Sequence, residues 1–146
     1  MGVGKTTVAS IFNKNQIPVW NADETVHKIY EKGGSGYNAL TNKIPILKNK
    51  GGIDRDQLME MIQKKKITIQ LLEEIIHPLL LSERMKFIKK NKTSKIIVFD
   101  IPLLFETNAD SWLDAVLVVY CSKETQMKRL QKRSNLTKEK INVLLS

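Results

Sequence analysis

The stretch that decides the fold class is Met1-Gly2-Val3-Gly4-Lys5-Thr6-Thr7, at the start of the sequence. Gly4, Lys5 and Thr6 occupy three fixed positions of the pattern G-x-x-x-x-G-K-[ST], a phosphate-binding loop that joins a strand to a helix. The leading glycine and the strand of that pattern do not precede Gly2. The sequence therefore predicts an α/β fold of the P-loop type that lacks its first strand.

The chemistry of this stretch suits a nucleoside triphosphate. Gly2 and Gly4 can adopt positive φ at little cost, so successive backbone N–H groups can form an anion-binding nest. Lys5 would contact the β- and γ-phosphates, and the Thr6 hydroxyl would bind the Mg²⁺ ion that accompanies ATP. The predicted nucleotide-binding residues are Gly2, Val3, Gly4, Lys5, Thr6 and Thr7.

A helix is expected directly after this loop. Val8, Ile11 and Phe12 recur at helical spacing, so they should share one face, and the helix N-terminus would add its dipole to the anion site. The alternative is a glycine-containing start of an ordinary amphipathic helix. We favour the phosphate loop because the glycines, the lysine and the threonine occur together.

Length and composition describe one globular domain. The chain has 146 residues, of which 42% are hydrophobic and 27% charged. No apolar run approaches the roughly 20 residues of a membrane span, and no signal-peptide stretch is visible, so we expect a cytoplasmic protein without a membrane partner. Cys121 is the only cysteine and is expected to be a small buried thiol.

The basic balance of the chain raises a second hypothesis. Lys+Arg number 24 against 15 Asp+Glu, which gives a net charge of +9 and favours a nucleic-acid-binding module as an alternative. However, the basic residues are scattered and no aromatic residues alternate with them. We therefore expect solvated lysine-rich faces and some attraction for polyphosphate ligands, with no nucleic-acid partner.

Three apolar runs predict strands. Residues 17–20 form a short run, and residues 95–100 and 115–120 are continuous apolar runs of the kind buried in parallel sheets. Helices are expected over 24–32 and from about Lys123 to Arg133, and Ile141, Leu144 and Leu145 suggest another.

Residues 37–91 predict a helical block without a strand. Gly51-Gly52 precede a helix start at Asp54, and Pro78 should end or kink a later helix. The apolar positions of the block that we expect to face inward are Leu58, Met59, Ile62, Ile69, Leu72, Ile76, Leu81, Met85 and Ile88.

Six segments, in the same order, resemble the dephospho-CoA kinase family. They are Gly2–Ala9, Asn21–Tyr30, Ile53–Arg55 with Leu58, Ile75–Leu79, Ile101–Glu106, and Thr125–Leu130 with Arg133. The resemblance implies a three-layer parallel sheet with a helical insertion. It also implies transfer of the ATP γ-phosphoryl group to the ribose 3′-hydroxyl of dephospho-CoA, with Mg²⁺.

Asp23 is the catalytic base that the resemblance implies. It matches the second acid of the family's Asp-Ala-Asp triplet, and Asn21 replaces the first acid. A carboxylate at the end of a strand could accept the proton of the sugar hydroxyl. The alternative is that Asp23 caps the following helix. The catalytic set that we predict is Asp23, Lys5 and Arg133.

Other polar residues have open roles. Arg129 and Arg133 lie where the family's lid begins, and either could neutralise phosphate charge or be a solvated surface arginine. Asp100 could order Mg²⁺, Glu106 could line the acceptor cleft or be an exposed loop acid, and Arg55 could bind a substrate phosphate or pair with an acid. His27 could pack against its neighbours or line the acceptor cleft. His77 precedes Pro78 and is expected to serve the junction between helices.

The resulting expectation is a single P-loop kinase domain over 1–146, with a helical substrate-binding insertion over about 37–91 and the start of a lid over about 129–146. Compared with the family's pattern, we expect this sequence to lack the C-terminal part of the fold as well as its first strand. The hypotheses are therefore an active kinase, a non-catalytic remnant of one, and the nucleic-acid module. We assign no oligomeric state.

Overall fold

The computed structural model describes residues 2–49 and 51–132, which form six α-helices, four short strands and two 3-10 helices, Pro45–Leu47 and Ala109–Trp112. The helices are α1 Lys5–Lys14, α2 Ala22–Tyr30, α3 Ser35–Lys43, α4 Arg55–Gln63, α5 Ile69–Lys90 and α6 Lys123–Gln131. The strands are β1 Val19–Asn21, β2 Lys48–Asn49, β3 Gly52–Ile53 and β4 Val98–Asp100. No helix among these residues is both long and apolar enough to cross a membrane.

The strands form two small sheets. β1 pairs with β4, and the long helical crossover between them is the kind of connection that parallel strands require. β2 and β3 form an antiparallel hairpin in which Lys48 lies opposite Ile53. The α/β class and the alternation of strands and helices expected of a P-loop kinase are confirmed.

One predicted strand is wrong. Residues 115–120 have no regular secondary structure, and Leu117, Val118 and Tyr120 are 65%, 67% and 87% exposed. A continuous apolar run becomes a buried strand only where neighbouring strands complete its hydrogen bonds and helices cover both faces. In the described part of the chain, no strand pairs with this segment. The strand over 95–100 is confirmed only at its end, in β4.

The chain forms two compact units, and their boundary falls within β1. The loop unit contains residues 1–19 and 102–146, and the helical unit contains residues 20–101. The predictions of a single domain, an insertion and a lid stay predictions.

The helical unit holds the main hydrophobic core. α2, α3 and α5 pack on one another, and the side chains of Leu40 and Leu47 are completely buried. Two helix starts are fixed by side-chain caps. Asp54 accepts from the N–H groups of Asp56 and Gln57 at the predicted start of α4, and Thr68 accepts from the N–H of Leu71 at the start of α5. The core residues are Ile29, Tyr37, Leu40, Leu47, Ile53, Leu58, Ile67, Ile75 and Ile76.

Pro78 does not end a helix, because α5 continues through it to Lys90. The proline removes one N–H donor from the helix. However, side chains before and after it pack on the core, including the buried Ile76 and the partly buried Leu79. Their burial offsets the lost hydrogen bond. Of the apolar positions of the helical block that were predicted to face inward, four are 43–55% exposed, namely Met59, Ile69, Leu81 and Met85.

Further boundaries differ from the sequence-based expectation. The β2–β3 hairpin lies inside the block that was predicted to contain no strand, and α2 covers residues 22–30 rather than 24–32. Two-residue strands are too short to show periodicity.

Two apolar residues of the loop unit are less buried than the sequence predicts. Ile11 is 53% exposed and Cys121 is half-buried, so neither forms part of a closed core. α6 begins at Lys123 as predicted; Arg133 and the helix suggested by Ile141, Leu144 and Leu145 lie outside the described residues.

Candidate active site

The phosphate loop, Gly2–Thr7, has the backbone conformation that the sequence predicts. Gly2 has φ +81° and Gly4 has φ +109°, a region that side chains rarely allow. Gly4 also caps α1, where its carbonyl oxygen accepts a hydrogen bond of 3.1 Å from the N–H of Val8. The loop therefore leads directly into a helix N-terminus, which is the arrangement that binds anions.

Lys5, Thr6 and Thr7 form the first turn of α1. Lys5 is half-buried, and Thr6 and Thr7 are exposed. No acidic residue lies in this turn to oppose an anion. The exposed Thr6 hydroxyl is a hard oxygen donor of the type that Mg²⁺ accepts, so this position fits the ion that accompanies a triphosphate. No cluster of three acidic, histidine or cysteine side chains suited to a metal occurs in the described residues.

The end of α6 packs against the phosphate loop. The Arg129 Nη1 atom donates a hydrogen bond of 2.9 Å to the Val3 carbonyl oxygen and a longer one of 3.4 Å to that of Gly2. Leu130 is completely buried, and a Cβ atom on Gly2 would lie only 3.1 Å from its Cγ. The sequence pointed to Arg129 as a phosphate ligand or a surface residue and gave no sign of this contact.

Asp23 lies in the helical unit, exposed in the first turn of α2. It does not cap that helix. The cap is Asn21, whose Oδ1 atom accepts a hydrogen bond of 2.9 Å from the N–H of Glu24. The alternative that Asp23 serves as a cap is therefore wrong, and its carboxylate is accessible for other chemistry.

Asn21 also connects the two strands of the β1–β4 sheet. Its Nδ2 atom donates a hydrogen bond of 2.9 Å to the Oδ2 atom of Asp100, which is only 6% exposed. The hydroxyl of Thr25 donates a hydrogen bond of 2.7 Å to the Asn21 carbonyl oxygen. The amide that replaces the family's acid thus holds the start of α2 and a buried carboxylate at the same time.

Asp23 shares an open cavity of about 460 Å³ with charged residues of α2 and the start of α4. Its lining residues are Asp23, Glu24, His27, Lys28, Glu31 and Arg55. The Arg55 guanidinium lies 5.7 Å from the centre of the Tyr30 ring, which is a cation–π distance. The cavity is lined by three carboxylates, Asp23, Glu24 and Glu31, and by the cations of Lys28 and Arg55. His27 also lines this cavity, and its role in an acceptor cleft stays a prediction.

His77 does not line this cavity. His77 is exposed and lines a separate concavity with other residues of α5. Glu106 is an exposed carboxylate in a turn of the loop unit, which agrees with the alternative that it is an exposed loop acid. Lys5 belongs to the loop unit and Asp23 to the helical unit, so their joint catalytic role stays a prediction, as does that of Arg133.

Tyr30 makes the stability of the helical unit depend on pH. Burial raises its pKa above the ordinary value of 10.0, and the charge of Arg55 opposes part of this effect. The folded state holds the neutral phenol, so this contribution to stability is complete below about pH 10 and is lost as the pH rises through the folded pKa. We expect the Tm to fall less steeply with rising pH in the alkaline range for Tyr30→Phe than for wild type.

Thermal unfolding between about pH 8 and pH 11, on both sides of the ordinary tyrosine pKa, checks this expectation. Tyr120→Phe is the matched control, because it removes a phenol that is 87% exposed, and it should follow wild type. Parallel curves for wild type and Tyr30→Phe would contradict the assignment.

Comparison with known proteins identifies the family. A family model described as dephospho-CoA kinase matches residues 1–146. The chain belongs to the dephospho-CoA kinase family. The dephospho-CoA kinase of Jannaschia sp. (strain CCS1) is 38% identical over 146 residues, which cover 100% of this chain and 75% of that protein. That of Rhodopseudomonas palustris (strain HaA2) is also 38% identical, with 100% and 73% covered.

Solved structures support the same fold. The dephospho-CoA kinase from Campylobacter jejuni matches with a TM-score of 0.61 and 29% identity, over 99% of this chain and 74% of that one. A protein from Thermus thermophilus matches with a TM-score of 0.69 over 98% of this chain and 73% of its own; at 24% identity it supports the fold alone. Membership of the dephospho-CoA kinase family places the chain among kinases of coenzyme A synthesis and confirms the resemblance seen in the sequence.

Proposed function

We propose that this chain transfers the γ-phosphoryl group of ATP to the ribose 3′-hydroxyl of dephospho-CoA, giving coenzyme A and ADP in the cytoplasm. The observation that carries the proposal is the phosphate loop, in which Gly2 and Gly4 both have positive φ directly before a helix N-terminus. Membership of the dephospho-CoA kinase family supports the acceptor.

In this proposal the phosphate loop holds the nucleotide. The backbone N–H groups of the loop and the N-terminus of α1 bind the phosphates, and the Lys5 ammonium neutralises charge that develops on the transferred group. Thr6 would hold Mg²⁺, which when bound neutralises charge on the phosphate oxygens. Arg133, as the resemblance implies, would contact the phosphates from the helix that leads to the lid.

Asp23 has the acceptor role. Its carboxylate accepts the proton of the 3′-hydroxyl, so that the oxygen can attack the γ-phosphorus as the bond to ADP breaks. Arg55 and Lys28 line the same cavity and supply cations for the phosphates of dephospho-CoA, and His27 supplies a ring N–H donor. No membrane or nucleic-acid partner forms part of the proposal, because both substrates are small molecules.

The test is ADP formation from MgATP, measured with and without dephospho-CoA. We expect ADP to form only when the acceptor is present, and Lys5→Met to lower the rate by about 10²–10³, the usual effect of removing one electrostatic contact to the transition state. Lys14→Met is the matched control, because Lys14 is an exposed cation in the last turn of the same helix.

Three outcomes would contradict the proposal. A folded wild-type protein that forms no ADP would favour the hypothesis of a non-catalytic remnant. ADP formation that does not depend on dephospho-CoA would exclude this acceptor. An equal loss of rate in Lys5→Met and Lys14→Met would mean that general charge, rather than the phosphate loop, controls the rate.

A further inference from the structure

We propose that Arg129 is a positioning residue that sets the phosphate loop in its nucleotide-binding conformation before the nucleotide arrives. The inference rests on the proposed function, because it assumes that ATP binds at this loop. It differs from the role implied by the resemblance, in which arginines near the lid contact the phosphates.

The first step of the argument is the direction of the hydrogen bonds. The Arg129 guanidinium donates to the carbonyl oxygens of Val3, at 2.9 Å, and Gly2, at 3.4 Å. In a planar trans peptide the carbonyl and the N–H point in opposite directions. Holding the carbonyls of Gly2 and Val3 towards Arg129 therefore directs the N–H groups of Val3 and Gly4 away from it, as an anion nest requires.

The second step is that the packing leaves little room for another arrangement. A Cβ atom on Gly2 would lie 3.1 Å from Leu130 Cγ and 3.3 Å from Gln126 Cγ, and one on Gly4 would lie 3.3 Å from Arg129 Nη1. Arg129 and Leu130 are consecutive and lie one turn after Gln126, so the three residues share one side of α6. Leu130 is completely buried, so this face of α6 is fixed against the loop while the guanidinium selects the peptide orientation.

The third step concerns charge. A guanidinium that neutralised phosphate directly would act through its charge, whereas one that orients two carbonyls acts through its donor geometry. Lysine retains the charge, but its ammonium lies one bond nearer the backbone than the Arg129 Nη1 atom and lacks the rigid planar geometry from which that atom donates to both carbonyls. Arg129→Lys therefore distinguishes the two roles, and Lys132→Gln, which removes an exposed cation three residues later, is the matched control for charge.

The experiment measures ADP binding, together with kcat and KM for ATP, for wild type, Arg129→Gln, Arg129→Lys and Lys132→Gln. We expect Arg129→Gln to weaken ADP binding and raise the KM for ATP by about three- to tenfold, the range of one hydrogen bond, with a kcat within about twofold of wild type. Arg129→Lys should resemble Arg129→Gln, and Lys132→Gln should resemble wild type.

A second readout does not depend on activity. In the nucleotide-free protein, the ¹⁵N resonance of Gly4 should shift in Arg129→Gln and Arg129→Lys, because its nitrogen is bonded to the Val3 carbonyl that loses a donor. It should not shift in Lys132→Gln. A residue that acts only on bound phosphate would leave this resonance unchanged.

The outcomes separate the inference from the function on which it rests. If wild type binds no ADP, the proposed function fails. If wild type binds ADP and Arg129→Gln binds it equally well with an unshifted Gly4 resonance, the positioning role alone is wrong. Full recovery of affinity by Arg129→Lys would overturn it in favour of a direct charge effect. If Arg129→Gln unfolds, Arg129→Lys and its Gly4 resonance decide the question.

Discussion

Asp23→Asn is expected to fold like wild type and to lose about 10²–10⁴-fold in kcat, the range associated with a lost general base. The amide keeps the size of the side chain but cannot accept the proton of the acceptor hydroxyl. Because Asn21, not Asp23, caps α2, the substitution removes no cap. Only the favourable interaction of a carboxylate with the helix N-terminus is lost, about 0.3–1 kcal/mol of stability.

Glu24→Gln is the matched control for Asp23→Asn. Glu24 is the next residue of α2, is also exposed, lies in the same first turn and lines the same cavity. It should lose the same small stability and keep most of its kcat. The measurements are kcat and KM for dephospho-CoA, with the Tm of each variant. Full activity in Asp23→Asn, or an equal loss in both variants, would show that Asp23 is not the base.

The parts of the structure that could be predicted from the sequence depend on local chemistry. Positive φ at Gly2 and Gly4 follows from the loop pattern, because few other residues tolerate that conformation. The start of α4 after Asp54 follows in the same way from a carboxylate that can accept N–H bonds. In both cases the residues that cause the structure are neighbours in the sequence.

The parts that could not be predicted depend on distant partners. The apolar run 115–120 satisfies a strand pattern, but a strand also requires paired neighbours. Pro78 was predicted to end or kink a helix, and the packing that carries α5 past it is tertiary. The contact between Arg129 and the carbonyl of Val3 joins residues 126 positions apart. No local pattern indicates any of these features.

Asn21→Leu is expected to have a large effect on stability. Leucine cannot accept the N–H of Glu24, which removes a helix cap worth about 1 kcal/mol, and it cannot donate to the buried carboxylate of Asp100, a bond worth about 1.5–3 kcal/mol. We therefore expect the free energy of unfolding to fall by about 3 kcal/mol. Urea denaturation of wild type and variant measures this loss.

Asn21→Ser separates the two contributions. Serine can still accept the N–H of Glu24 as a helix cap, but it is too short to replace the amide that reaches Asp100. It should recover about 1 kcal/mol of the loss in Asn21→Leu. If both variants were as stable as wild type, Asn21 would not hold the start of α2. A frayed first turn would displace Asp23, so kcat should fall with stability in this series.

Asn21→Asp turns the same contact into a pH-dependent one. The substitution keeps an acceptor for the N–H of Glu24 but replaces the donor 2.9 Å from the Asp100 carboxylate with a second carboxylate. Two carboxylates at this separation cannot both ionise without cost, so the pair retains a proton and one pKa rises in the folded state. Stability should therefore be greater at about pH 5, where the shared proton restores a hydrogen bond, and should fall as the pH approaches about 8.

Asn21→Ser is the control, because it adds no acid, and its stability should show no such dependence on pH relative to wild type. A flat pH profile for Asn21→Asp would mean that residue 21 does not face Asp100. The asparagine at this position thus provides a donor to Asp100 that does not depend on pH, where an acid would have to keep a proton to do the same.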